Sequence, residues 1–190
     1  MAQNSIHLDE KDRKILTLLH DQKDISQEEI AQIIGLSQPS IATRIKKLKE
    51  KGIMQDQTGV NLNKVGMYVV IVTASTTNTS AILNMFHHCP FFLNGFVTSG
   101  KENLMMMFAG EDLASLESII DQRIRANKDV QNAEFTIVLS SKKDLIFPIR
   151  MVERPQNNAP CGIDYKGCEA YKENRCFGCP ATSRYKGQFW

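Results

Sequence analysis

Residues 26–52 read SQEEIAQIIGLSQPSIATRIKKLKEKG. Ser26 followed three residues later by Glu29 is a capping box, so a short helix starts there and turns Ile30, Ile33 and Ile34 toward one apolar side. Gly35 ends it, since glycine enters the left-handed conformation that closes many helices. Ser37 is the expected cap of a second helix, with Pro39 tolerated in its first turn and Ile41, Ile45 and Leu48 recurring at helical spacing. Gly52 marks its end. Two short helices across a tight glycine turn, the second with a separate polar face, form the pattern of a helix-turn-helix.

That polar face has chemistry suited to duplex DNA. Ser40, Thr43, Arg44 and Lys47 share one side of the second helix and Gln38 lies at its start, placing hydroxyl, amide and cationic donors where base edges are read. Lys46, Lys49 and Lys51 flank them and suit phosphates. Residues 37–51 hold five basic side chains (Arg44, Lys46, Lys47, Lys49, Lys51) against the single acid Glu50. A run such as KKLKEK taken alone is an ordinary solvated helix face; the capped turn before it is what favours a DNA interface.

The bulk numbers narrow the rest. A chain of 190 residues with 42% hydrophobic side chains has enough apolar material for one large or two small cored domains. A formal net charge of +2 excludes a wholesale nucleic-acid coat, so DNA contact must come from a local patch. The first residues, MAQNSIHLDEKD, lack the apolar centre of a secretion signal, and no apolar run of about 18 residues follows, so a cytoplasmic protein is expected. In that compartment five cysteines read as thiols or metal ligands rather than a disulfide framework.

Upstream, Asp9 is a predicted cap for KDRKILTLLH, whose Ile15, Leu18 and Leu19 close over the two helices already described and complete a three-helix head. Behind the head, residues 53–55 and 60–62 flank the turn residues 56–59 and predict a short hairpin, the wing of a winged helix-turn-helix occupying residues 1–62. From Met67 the period changes to MYVVIVTAS, a strand; then come a helix (TSAILNMFHHC), two strands (FFLNGFVTS and ENLMMMFAG), a helix striped by Leu113, Leu116, Ile120 and Ile124, and a last strand over residues 130–140. The order βαββαβ predicts a ferredoxin-like domain over residues 63–150, giving an α+β protein.

The strands YVVIV and LMMMFA are apolar at nearly every position, which is expected when both faces of a sheet are covered. Two helices cover one face; the other would leave an apolar patch larger than soluble monomers usually carry. A homodimer or higher homo-oligomer, with two heads for two half-sites, is therefore expected, unless residues 141–190 fold back over that face.

LDEKDRKIL, then EEIAQIIGLSQPSIATRIKKLKEKGIM, then a βαββαβ domain resembles the Lrp/AsnC (feast/famine) transcriptional regulators over about residues 6–140. The resemblance implies a winged head, a sheet-to-sheet dimer and control by a small, commonly amino-acid effector bound near the turn joining strands two and three. Here that turn holds Thr98, Ser99, Gly100, Lys101, Glu102 and Asn103. Glu102 and Asn103 stand where the family commonly has Tyr and Asp; Lys101 and Glu102 still offer partners for a carboxylate and an ammonium, or are simply solvated hairpin charges. Some relatives with this build are haem-pathway decarboxylases. That chemistry needs histidines and arginines gathered on the sheet, whereas strands two to four are almost free of both and His87 and His88 lie at a helix end, so no enzyme is expected.

Beyond a proline-bounded linker over residues 154–160, the resemblance stops. Residues 151–190 form a cysteine-rich tail whose Cys161, Cys168, Cys176 and Cys179 are spaced C-x6-C-x7-C-x2-C. Four thiolates are what a tetrahedral zinc site or a 4Fe-4S cluster requires, and a metal would explain how so short a tail folds. The alternative is a set of free, redox-switching thiols. Tyr165, Tyr171, Tyr185 and Trp190 among Lys172, Arg175, Arg184 and Lys186 read as a mini-core around the metal, in preference to a stacking surface for unpaired bases. The sequence thus points to a sequence-specific DNA-binding regulator modulated by an effector, a metal or a redox module. An iron-sulfur or thiol redox sensor controlling DNA binding and an architectural DNA-compacting protein are the competing readings.

Overall fold

The computed structural model describes residues 7–22, 24–56, 58–149, 151 and 155–190. The N-terminal residues read for a secretion signal (1–6), Gln57 in the expected wing turn and Arg154 at the head of the expected linker lie outside the described residues. The chain divides into two compact units, Met1–Gln57 and Thr58–Trp190.

The first unit is a three-helix head. Helix α1 (Glu10–Asp21) starts from a reciprocal capping box in which Asp9 accepts from the Asp12 N–H and the Asp12 side chain accepts from the Asp9 N–H. Helix α2 (Gln27–Ile34) repeats the device with Ser26 and Glu29 and ends on Gly35 at φ 72°. Helix α3 (Gln38–Glu50) departs from expectation at its start, because Ser37 makes no side-chain cap. Its hydroxyl pairs with the Ser40 hydroxyl at 2.8 Å instead, and Pro39, which has no N–H, removes one of the donors a cap would use. Ile15, Ile30, Ala31, Ile41 and Ile45 form the buried centre, with Leu18, Leu19, Ile25, Ile34, Leu36 and Met54 packed around it. Ile33, expected on the apolar side, is 60% exposed.

The predicted hairpin behind the head is not formed. Strand β1 (Val60–Asn61) pairs antiparallel with β6 (Ile146–Phe147), in the register Val60↔Phe147 and Asn61↔Ile146, and so belongs to the second unit. The second unit follows the expected βαββαβ order: β2 (Tyr68–Thr76), α4 (Thr79–Phe86), β3 (Phe92–Val97), β4 (Leu104–Gly110), α5 (Leu113–Ile120), β5 (Val130–Ile137). The antiparallel sheet runs β3-β4-β2-β5, the ferredoxin-like arrangement. Alternation sends Val70, Val72 and Ala74 of β2 and Leu104, Met106 and Phe108 of β4 toward the helices, where they bury against Ile82, Phe86, Leu116 and Ile120.

Among the described residues of this unit the opposite face is covered at one end, where Val69 and Ala109 lie under Leu62, Leu145, Phe147, Ile149, Phe189 and Trp190. Further along it, Ile71, Met105 and Met107 are half-buried and Phe96 is 44% exposed. The covering of this face by the C-terminal residues, weighed as an alternative to dimerisation, is therefore partial.

Most of the C-terminal segment goes to the helix layer instead. Ala159, Cys161, Ile163, Tyr165, Cys168, Cys176, Cys179 and Ala181 join the same buried core as β2, β4, α4 and α5. The tail is thus an added layer of the second unit, although the sequence reads as a separate module. Polar ties hold it down: the Phe177 N–H donates to Ser115 Oγ at 2.7 Å, and Tyr185 Oη to Glu111 at 2.6 Å. A five-residue π-helical turn, Asp121–Arg125, prolongs α5, and from it Gln122 Nε2 donates to Cys168 Sγ at 3.1 Å. A four-residue helix, α6 (Glu169–Lys172), lies within the tail.

Candidate nucleic-acid interface and regulatory elements

Helix α3 buries Ile41, Ile45 and Leu48 and leaves its other side to solvent. Gln38, Ser40, Thr43, Lys46, Lys47, Lys49 and Lys51 are all exposed, and an open groove of about 580 Å³ runs beside Ser40, Thr43, Arg44, Lys47 and Lys51. The side chains differ in how committed they are. Thr43 Oγ1 donates to the Pro39 carbonyl at 2.9 Å, which commits its hydroxyl proton. Lys46 lies 3.8 Å from Glu50, and Lys49 is paired with Asp56. Among the described residues Gln38, Lys47 and Lys51 make no side-chain hydrogen bond or ion pair, so these reach a ligand without breaking one.

Arg44 is placed differently from its expected base-reading role. Its Nη1 lies 2.7 Å from both Asp9 Oδ2 and Asp12 Oδ1, and its side chain is 30% exposed. The two carboxylates that cap α1 raise the guanidinium further above its ordinary value, Asp9 contributing most. In return the Asp12 N–H and then Arg44 hold the Asp9 carboxyl below its ordinary value. The sequence contains both partners, but the contact spans 35 residues and no local pattern reports it.

In the second unit the expected effector turn closes as a hairpin, with the Thr98 N–H donating to the Asn103 carbonyl at 3.0 Å and Thr98 Oγ1 to the Glu102 carbonyl at 2.6 Å. Asn103 is structural: Oδ1 accepts from the Thr76 N–H at 2.9 Å and Nδ2 donates to the Thr76 carbonyl at 2.8 Å, tying the turn to the end of β2. Ser75 Oγ donates to the Lys101 carbonyl at 2.8 Å, a second tie. Ser99, Gly100 and Lys101 are exposed and Glu102 is half-buried. Side chains for both ends of an amino acid thus project from a braced turn, while Asn103 is occupied.

The tail cysteines are buried and unpaired, as is Cys89 at the end of α4. Among the described residues no group of three or more His, Cys, Asp or Glu is placed to hold one metal ion. His87 and His88 touch each other edge to face at 4.6 Å between ring centres. Burial raises the thiols of Cys89 and Cys161 and pushes Cys179 up to about 12, which disfavours free thiolate chemistry at neutral pH. Tyr165, 4% exposed, has its hydroxyl raised first by burial and then by the surrounding Cys179, Cys176, Cys161 and Cys89. The sequence reading placed Tyr165 in a mini-core around the metal but left Cys89, the fifth cysteine directly before a proline at a helix end, out of the ligand set, and it passed over Arg123, which carried no local signal.

Comparison with known proteins agrees with this architecture. Residues 8–53 match the family model described as winged helix-turn-helix DNA-binding, and residues 68–145 match that of the Lrp/AsnC ligand binding domain. The chain is 25% identical over 146 residues to the leucine-responsive regulatory protein of Rhizobium meliloti, covering 73% of this chain and 94% of that one. It is 29% identical over 121 residues to the HTH-type transcriptional regulator LrpA of Pyrococcus abyssi, covering 62% of this chain and 86% of that one. Among solved structures, AsnC of E. coli superposes with a TM-score of 0.65 at 19% identity over 73% of this chain and 96% of that chain. A Neisseria meningitidis transcriptional regulator solved in complex with L-Met gives 0.62 at 20% identity over 72% and 93%. The two family matches, in this order, together with relatives that are named transcriptional regulators, support an Lrp/AsnC-type DNA-binding transcriptional regulator.

Proposed function

We propose that this regulator binds specific operator DNA as a homodimer or higher homo-oligomer, reading the major groove with α3. The exposed, uncommitted Gln38 and Lys47 on a helix held by a buried three-helix centre are the observation that carries this. Gln38, Ser40, Thr43 and Lys47 face bases, and Lys46, Lys49 and Lys51 suit phosphates, the first two after leaving Glu50 and Asp56. Arg44 holds α1 to α3 and acts on DNA only by keeping the head in shape. The sheet face around Ile71, Met105, Met107 and Phe96 supports pairing with a second copy, since among the described residues of this unit only one end of it is covered.

An amino-acid-like effector at the β3–β4 turn is supported by Lys101 and Glu102 on a backbone braced by Ser75 and Thr76. The meningococcal regulator's complex with L-Met favours this ligand class. The buried cysteine region is a second input, in which a bound metal centre resets DNA affinity. Titration of full-length protein against a selected operator and against random duplex, over a range of salt, tests the reading. A marked operator preference carried by a dimer or larger species supports it, whereas equal binding to both duplexes indicates DNA compaction.

A further inference from the structure

We propose that Cys89 of the ferredoxin-like domain, together with Cys161, Cys176 and Cys179 of the tail, ligates a 4Fe-4S cluster, and that Cys168 is not a ligand. This rests on the reading of the cysteine region as a metal centre and names its ligands and cofactor class.

The sequence alone groups the four tail cysteines, but the fold regroups them. All five thiols belong to one buried core, but among the described residues Cys168 alone accepts from a side chain, the Gln122 amide, at 3.1 Å. It also lines an open groove of about 810 Å³ among the carboxylates of Glu117, Asp121, Asp164 and Glu169, where a cluster carrying net negative charge is disfavoured. The other four thiols are the ones near enough to Tyr165 to raise its hydroxyl. Each also has the backbone N–H two residues downstream directed at its sulfur: Phe91 for Cys89, Ile163 for Cys161, Gly178 for Cys176 and Ala181 for Cys179. Gly178 reaches Cys176 Sγ at 3.4 Å with φ 82°, a conformation glycine alone adopts freely. Such N–H···S contacts stabilise ligating sulfur and are outer ligands of a metal centre.

Among the described residues three buried side-chain donors, Tyr165 Oη, Arg123 Nε and Trp190 Nε1, lack a partner, and the first two interact with the thiols. The Arg123 guanidinium lies against the loop that follows Cys161. A cluster with four thiolate ligands supplies both an acceptor for the hydroxyl and a negative charge for the guanidinium. Spacing decides the cofactor class. A Zn–S length of about 2.3 Å in a tetrahedron needs sulfurs about 3.8 Å from one another around one ion, and among the described residues no three such ligands are placed to share an ion, whereas a cubane puts a separate iron at each cysteine. Ligation exchanges each thiol proton, released to solvent, for an iron–sulfur bond. Because Cys89 ends α4, such a cluster pins the tail directly to the domain that carries the effector turn.

The test uses the full chain, prepared without oxygen and incubated with equal amounts of ferrous and ferric iron and with sulfide, with zinc in a parallel sample. Uptake of about four iron and four sulfide per chain by the wild type and by Cys168→Ser, with at least a threefold loss in Cys89→Ser, is the expected result. Because Cys89→Ser can fail to fold, the wild type is also alkylated before and after loading. Protection of Cys89 that rises with Cys161, Cys176 and Cys179 while Cys168 stays unchanged supports the ligand set without any variant. A cluster retained by Cys89→Ser and lost by Cys168→Ser assigns it to the tail alone and overturns the proposal, as does one zinc per chain with no sulfide uptake. Loss of DNA binding with normal cluster uptake would reject the regulatory reading and leave this ligand set standing.

Discussion

Arg44 of α3 donates through Nη1 to Asp9, the cap of α1, at 2.7 Å. The same nitrogen meets Asp12, so one guanidinium holds the start of α1 against the middle of the candidate recognition helix. Arg44→Ala is expected to lower the melting temperature of the head by a few degrees. DNA affinity should fall to the same proportion on every duplex, because geometry and not base contact is lost. Thermal unfolding combined with operator and random-duplex titration checks this; loss confined to the operator would restore Arg44 as a base reader.

Lys47 is the contrasting case, exposed and without a partner among the described residues. Lys47→Ala should leave the melting temperature within about 1 °C while reducing the slope of log affinity against log salt by about 1 if it meets a phosphate. A base contact would instead cost about 1–3 kcal/mol on the operator alone. Binding isotherms at several salt concentrations separate the two outcomes.

Acid should loosen the head. Asp9 is held below its ordinary 3.8 by the Asp12 N–H and Arg44, and Glu29 below its ordinary 4.5 by the Ser26 N–H and hydroxyl. Since the unfolded chain takes up these protons at higher pH than the folded one, their stabilisation is complete above about pH 4.5 and is lost as pH falls through the lowered folded values. The double variant Asp9→Asn, Glu29→Gln should show a flatter dependence of melting temperature on pH between 5 and 3, a comparison readily made by circular dichroism.

On the open sheet face, Phe96 sits directly across from Met105 and remains 44% exposed. Phe96→Glu places a charge in the proposed interface and should weaken self-association by about 30-fold or more, the ~2 kcal/mol scale of a buried aromatic anchor. Light scattering across a dilution series measures it; an unchanged mass would locate the interface elsewhere.

Asn103 holds the effector turn through both polar atoms of its amide. Asn103→Ala leaves the Thr76 N–H and carbonyl without these partners and should cost about 1–3 kcal/mol of second-unit stability, with a looser effector response. Denaturant unfolding gives the first quantity, and DNA titration with a panel of amino acids the second. Full stability in the variant would show that water replaces the amide.

Local chemistry was written in the chain and was read from it. Capping boxes at Asp9 and Ser26, the stop at Gly35 and the change of period after Met67 depend on residues within a few positions of one another, so the three-helix head and the βαββαβ order follow from order alone. The exposed side of α3 was legible for the same reason. Tertiary structure decided what depends on contacts across long separations. It paired Val60–Asn61 with Ile146–Phe147 instead of forming a wing hairpin, drew Arg44 to Asp9, laid the tail on α5, and gathered Cys89 with the tail thiols in one core. Each of these joins residues whose spacing along the chain has no period, and burial of a shared apolar core, which is non-directional, settles which distant partners meet.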